Sequence, residues 1–264
     1  MNLLKTLLSV GGMTTISRIL GFVRDSIIAR VFGVGIETDA FFVAFKIPNL
    51  LRRISAEGAF TQAFVPILSE YKSRKSKIEV SYLINKVATL LGFFLVLVTL
   101  LGVFGAPWLI YISAPGFVSD PEKFDLTVNL LQITFPYIFF ISLVSMAGGI
   151  LNTYGKFVVP AFTPVWLNIS FILAALYFSD LFEEPVTVLA WAVFFGGALQ
   201  LFFQIPFLKQ VGFLPKINLD MKDKGVWRVL KLMGPAILGV SVVQISLLIN
   251  TIFASFLASG SVSW

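Results

Sequence analysis

The sequence contains no cysteine and no histidine. That excludes disulfide frameworks, thiolate or imidazole metal sites, cysteine nucleophiles and every histidine-dependent triad. Charge is scarce too: 13% of the 264 residues are Asp, Glu, Lys or Arg, against 57% hydrophobic. Ordinary soluble domains carry about 25% charged residues, so a water-soluble globule is excluded. Disorder is excluded for the opposite reason, since it requires low hydrophobicity. The scarce carboxylates, 14 in all, would have to cluster to hold a metal, and most do not. No Walker motif is present to bind ATP. The apolar run before Arg18 is too short for a cleaved signal peptide, so the N-terminus is expected to be retained.

What is present is a series of long apolar segments, and the fold expected is an all-α polytopic membrane protein. A membrane-crossing helix needs about 20 mostly apolar residues. Five charge-free stretches meet this: Val87–Ser119, Leu126–Gly155, Phe157–Ser179, Pro185–Leu208 and Leu232–Trp264. In the first 86 residues the longest charge-free windows are 12 residues. Leu3–Phe32 and Asp39–Tyr71 are otherwise apolar there, with Gly33 and Gly35 between them, and they are read as two further spans. The total is about seven.

The net charge of +6 lies between spans rather than along one stripe, which argues for membrane topology and against nucleic acid as a partner. Basic segments, Lys72 to Lys77, Lys156, and Lys209 to Lys231, alternate with acidic ones containing Asp120, Glu122 and Asp125, and Asp180, Glu183 and Glu184. The positive-inside rule then places the N-terminus in the cytoplasm and Trp264 at the opposite face. Residues 1–208 are expected to form a six-helix lobe and 209–231 a basic linker able to lie on the inner leaflet. Residues 232–264 form a further helix. A faint similarity of residues 229–260 to residues 3–33 makes that helix the first of a second lobe, as in transporters built from repeated bundles.

The chemistry sits in the first two spans. Arg18, Arg24, Asp25 and Arg30 lie in one, and Asp39, Lys46, Arg52, Arg53 and Glu57 in the other. An Arg near a helix centre costs about 2.5–3.5 kcal/mol on insertion scales, so these residues are expected to line a cavity or to pair internally. Arg18 and Asp25, seven apart, share a helical face, whereas Arg24 is rotated away. Asp39, Lys46 and Arg53 recur every seven residues, with Asn49 and Glu57 on the same stripe, about 27 Å long. Pro48 is expected to kink or break that helix. Arg53 and Glu57 at i,i+4 are well explained as a plain helix pair. Residues 18–57 hold six basic groups against four acidic ones, and such an excess wants a mobile anion. Phosphate or diphosphate fits best, since Arg binds it in a two-pronged geometry. Asn152, Asn168, Gln204, Gln244 and Asn250 are read as residues that glue helices together, and the Trp and Phe residues as mostly facing lipid.

Several of these segments carry a resemblance. Ser17 to Asp25, Thr38 to Arg53, Ala56 to Phe60 and Gly234 to Ser241 resemble the MurJ (MviN) family of lipid II flippases. The resemblance implies a two-lobed, fourteen-helix transporter of the MOP exporter superfamily. Its substrate is the undecaprenyl-diphosphate-linked peptidoglycan precursor, moved from the inner to the outer leaflet of the bacterial cytoplasmic membrane by alternating access. By matching motif, Arg18, Arg24 and Arg52 are the cavity cations for the diphosphate, Asp25 orients Arg24, and Asp39 helps close the outer gate. Ser17, Asn49, Arg53 and Glu57 are second-rank cavity residues, and Ser263 matches a cavity-facing position. No cofactor is implied beyond coupling to the membrane potential or to an ion. Outward movement of anionic charge gains about 2.3 kcal/mol per charge per 100 mV. A full family member is about twice as long, so the second lobe is missing here, and a fragment is favoured over a split protein or a dimerising half. Two other functions compete. An enzyme acting on polyprenyl phosphates would need a carboxylate cluster, and a drug or ion antiporter of the same superfamily would need a less cationic cavity.

Overall fold

The computed structural model describes residues 3–219, 224–257 and 260–261, with the side chains of all but 3, 5, 55–57 and 224. Helix α1 is Leu3–Phe32 and α2 is Ile36–Arg52, which continues through a π-helical stretch, Arg53–Phe60, into α3, Thr61–Arg74. Then follow α4 (Lys77–Phe104), α5 (Ala106–Ser113), α6 (Pro121–Thr134), α7 (Tyr137–Thr153), α8 (Val158–Phe162), α9 (Pro164–Tyr177), α10 (Thr187–Val211) and α11 (Lys224–Ser255). Among the described residues, six helical segments are long and apolar enough to cross a membrane: Thr6–Phe32, Lys77–Phe104, Pro121–Thr153, Val158–Tyr177, Thr187–Val211 and Gly225–Ser255. The unbroken helix from Ile36 to Arg74 is the seventh long element, and its charges keep it below that apolar threshold.

Local signals set the helix ends. Ser76 caps α4 in a reciprocal box: its hydroxyl accepts from the Glu79 amide (3.3 Å) while the Glu79 carboxylate accepts from the Ser76 amide (3.0 Å). The Asp120 carboxylate accepts from the Lys123 amide (3.2 Å) at the start of α6, with Pro121 in the first turn. Gly212, at φ 80°, ends α10, and the Phe213 amide bonds back to the Leu208 carbonyl (3.1 Å). The next residues, Phe213–Leu219, run without helix.

Two apolar cores are stacked along the bundle. One gathers α2, α5, α6, the first half of α7, α9 and the start of α10, around Phe41, Phe117, Phe135 and Phe171. It lies at the end carrying the acidic connections. The other gathers α3, the first half of α4, the end of α7 and the start of α11, around Phe60, Phe64, Leu83 and Ile150, at the end carrying the basic ones. In a bilayer, packing rather than escape from lipid favours such contacts, and small residues permit close approach. Gly196 and Gly197 seat α10 between α9 and α7: an added Cβ would lie 2.7 Å from Leu167 Cδ1 at one and 2.7 Å from Tyr137 Cδ2 at the other.

Two expectations change. Helix α2 is not interrupted at Pro48, which is buried within it. Proline removes one intrahelical bond, but packing of α2 on α6 and α7 holds the helix, and the irregular turn falls five residues later. The aromatic residues divide rather than mostly facing outward. Phe41, Phe64, Phe117 and Phe171 are fully buried, whereas Phe93, Phe104, Trp108 and Trp227 are exposed. Phe41, Phe45, Tyr137 and Phe171 pack ring on ring, because large rings fill the gaps between crossing helices.

Candidate substrate site

Helix α1 packs on α8 and α9, and α2 on α6, α7 and α10. Arg24 points from α1 toward α9. Its Nε donates to Asp25 Oδ1 (2.8 Å), its Nη2 pairs with the same oxygen (2.7 Å), and its Nη1 donates to Asn168 Oδ1 (3.0 Å). The guanidinium carbon stands 5.5 Å from the centre of the Phe171 ring. Asn168 completes the tie by donating from Nδ2 to the Ser17 carbonyl oxygen (3.0 Å). The Arg24 side chain stays 25% exposed, and two of its five N–H groups point to no partner among the described residues. This is a cation held in place with donors to spare. Arg18, six residues before it, is exposed on the same helix.

On α2, Arg52 Nε donates to Asn49 Oδ1 (3.0 Å), an i,i+3 contact that orients the guanidinium along the helix. Arg53 is exposed. The seven-residue stripe of α2 is not one open face. Lys46 is half-buried in a narrow gap beside Ser113 of α5 and Leu248 and Thr251 of α11. Asp39 is buried, 1% exposed, and pairs with Lys123 Nζ at 3.3 Å. It also accepts from the Gly260 amide at 2.6 Å. Nearby, the Gly116 amide donates to Ser255 Oγ (3.1 Å). Ser255, at the end of α11, is thus tied to the 115–119 turn, and Gly260 to α2. Beyond residue 53 the wider π turn ends the seven-residue register. The Glu57 side chain and Ser263 lie outside the described residues.

The structure therefore joins Ser17, Arg24 and Asp25 in one cluster and Asn49 and Arg52 in another, and it sets Asp39 apart in a third. Sequence reasoning missed Lys123 and Phe171. Lys123 stands among acidic residues in what reads as a loop, and only the Asp120 cap, which makes it the third residue of α6, turns it inward. Asn168, read as helix glue, does join α9 to α1, and the same amide holds Arg24. At the basic end, Arg228 of α11 makes a two-pronged pair with Glu70 of α3 (2.8 and 3.2 Å).

Comparison with known proteins places this arrangement. A family model described as lipid II flippase MurJ matches residues 28–264. A protein of Buchnera aphidicola subsp. Acyrthosiphon pisum named probable lipid II flippase MurJ is 53% identical over the whole chain, which covers 52% of that protein. The lipid II flippase MurJ of Burkholderia cenocepacia is 49% identical, again over the whole chain and 52% of its own length. A solved lipid II flippase MurJ in an inward closed conformation superposes with a TM-score of 0.77 at 29% identity, over 96% of this chain and 52% of that one. A MOP superfamily transporter from Pyrococcus furiosus shares the fold at a TM-score of 0.71 and 16% identity, over 92% of this chain and 54% of that one. The chain spans about half the length of the curated relatives it matches. It is an all-α, multi-pass membrane chain, and it belongs to the lipid II flippase MurJ family.

Proposed function

We propose that this chain supplies the first half of a lipid II flippase and that its cationic residues receive the diphosphate of the lipid-linked precursor. The observation that carries this is Arg24, fixed by Asp25, Asn168 and Phe171. A guanidinium with two N–H groups left over matches a pair of phosphate oxygens. Its fixed position lowers the ordering cost of binding. Arg18 and Arg52 are the further cations of the site, with Asn49 orienting Arg52 and with Arg53 and Glu57 at its edge. Transport proceeds by alternating access in the bacterial inner membrane with the N-terminus cytoplasmic. The basic end of the bundle is then the cytoplasmic one. Asp39, through Lys123 and the Gly260 amide, holds the opposite end shut. The inside-negative potential favours outward movement of the anion. A drug antiporter would leave the fixed Arg24 unexplained, and a polyprenyl phosphate-processing enzyme would need a carboxylate cluster, whereas among the described residues no group of carboxylates is placed to hold a metal ion.

The test is binding of a fluorescent lipid-linked diphosphate precursor to the chain in lipid nanodiscs. Hydrogen bonds to charged groups contribute about 1.5–3 kcal/mol, so Arg24→Ala is expected to weaken binding by roughly 10- to 100-fold while membrane insertion is unchanged. Equal affinity of the variant and the unsubstituted chain would sink the proposal.

A further inference from the structure

On the side of α9 opposite Asn168, an apolar groove of about 630 Å³ runs between α9 and α10. It opens outward, since Leu173, Trp191 and Phe195 of its walls are exposed. Its floor is made of small buried residues, Ala174 and Ala192. The one hydroxyl in the lining, that of Ser170, donates to the Ala192 carbonyl (2.8 Å), so it is used within the protein. Leu181 and Phe182, in the connection from α9 to α10, close one end of the groove. Along α9 the lining extends from Trp166 to Phe178, and along α10 from Val188 to Leu199. At 1.5 Å per residue that is a length of about 16–18 Å.

We propose that this groove seats one acyl chain of an aminophospholipid from the leaflet at the acidic end of the bundle, with the carboxylates of Asp180 and Glu183 receiving the headgroup amine. Length chooses a lipid chain over a protein helix. The hydrocarbon core is about 30 Å thick, so one leaflet is about 15 Å, and the groove is one leaflet long, whereas a partner's membrane-crossing helix would need the full depth. Its volume lies within the 300–1,000 Å³ of small-molecule sites. Charge chooses the headgroup. No Lys or Arg stands between Lys156 and Lys209, so α8, α9, α10 and the connection between the last two offer an anionic headgroup no partner. Asp180 and Glu183 flank Leu181 and Phe182 in the chain, are exposed, and form no ion pair among the described residues. A primary ammonium brings three N–H donors to such carboxylates, and a choline headgroup brings none. The seated chain backs α9, whose other side carries Asn168.

The groove carries its own reporter in Trp191. Trp108, on α5 toward the same end of the bundle, is exposed and outside the groove, so it samples the surrounding lipid. Two chains are made, one keeping only Trp191 and the other only Trp108, with the remaining tryptophans changed to Phe. Each is reconstituted in bilayers of equal parts phosphatidylethanolamine and phosphatidylglycerol, with brominated acyl chains on one lipid or the other. Bromine quenches indole emission on contact. Exposed ion pairs are weak, so the ethanolamine lipid is expected to occupy the groove about two- to fivefold more than the glycerol lipid. Trp191 quenching should follow that ratio, Trp108 should be quenched equally by both, and Asp180→Asn/Glu183→Gln should abolish the preference at Trp191. Equal quenching of Trp191 by the two lipids, or the same preference at Trp108, would overturn the site. So would an unquenched Trp191, which would mean that no lipid chain enters. Recovery of Trp191 emission on adding a trace of unbrominated polyprenyl diphosphate would give the groove to a prenyl chain and overturn the phospholipid assignment. If the tryptophan variants cannot be purified, native mass spectrometry of the unsubstituted chain beside Asp180→Asn/Glu183→Gln, two exposed positions, counts the two bound lipids and decides by the same preference.

Discussion

Asn168 is engaged at both ends of its amide, its oxygen by Arg24 and its nitrogen by the Ser17 carbonyl. Asn168→Leu removes both ties while keeping the bulk. It is expected to lower affinity for a lipid-linked diphosphate about tenfold through the loss of one charge-assisted bond, with Asn168→Asp restoring part of it. An Asn168→Leu chain that binds as well as the parent would show that Arg24 needs no support from α9. The buried pair of Asp39 and Lys123 makes a different prediction. Removing one member leaves a buried charge, at about 3–5 kcal/mol, so Lys123→Met is expected to lower the unfolding temperature in detergent, and Asp39→Asn/Lys123→Met together to recover most of the loss. Arg24 and Asp25 were legible in the sequence because charges inside apolar helices are costly. Lys123 was not, since its environment is created by a cap and a helix crossing rather than by its neighbours in the chain.

At the scale of the helix, Gly58 and the π-helical stretch matter most. A Cβ at Gly58 would stand 2.6 Å from the Arg53 carbonyl oxygen and 2.9 Å from Val240 Cγ2 of α11. Gly58→Val is therefore expected to push α11 away from α2–α3. The absence of cysteine makes this measurable without background. Cysteines in place of Glu70 and Arg228, joined by a short bis-maleimide, should cross-link efficiently in the parent and at less than half that yield with Gly58→Val; equal yields would contradict the contact. Replacing Glu70 with Gln alone is expected to leave the unfolding temperature in detergent unchanged, because the Glu70–Arg228 pair is solvent-exposed. The helices themselves were readable from apolar length and from caps such as Ser76–Glu79. The π turn was not. It adds a residue per turn without a compositional signal, and the proline that drew attention, Pro48, lies in regular helix.

Across the whole molecule, α7 and α10 run through both cores, while α1 rests on α8 and α9 and α11 on α3 and the π stretch. Helices α1 and α11 are the least buried of the six apolar spans among the described residues. Because the chain covers about half of its relatives, it is expected to bind the lipid-linked precursor yet to flip none in proteoliposomes. Co-reconstitution with the second half of a relative should restore flipping; flipping by the chain alone would show that a second lobe is dispensable. The span count was legible from hydropathy and charge alternation, whereas the joining of Gln200 and Gln204 to Thr163 was not, since these residues meet only in three dimensions. The contact at the acidic end has a further consequence. Asp39 grips Lys123 by its side chain but residue 260 by its backbone amide, which any residue except proline possesses. Genetic suppressors of an Asp39 substitution should therefore arise at position 123 and never at 260. Changes at Gly260 would register its positive φ of 95° and its crowding by Val34 rather than the identity of a side chain, so half of this latch is invisible to any search for co-varying side chains.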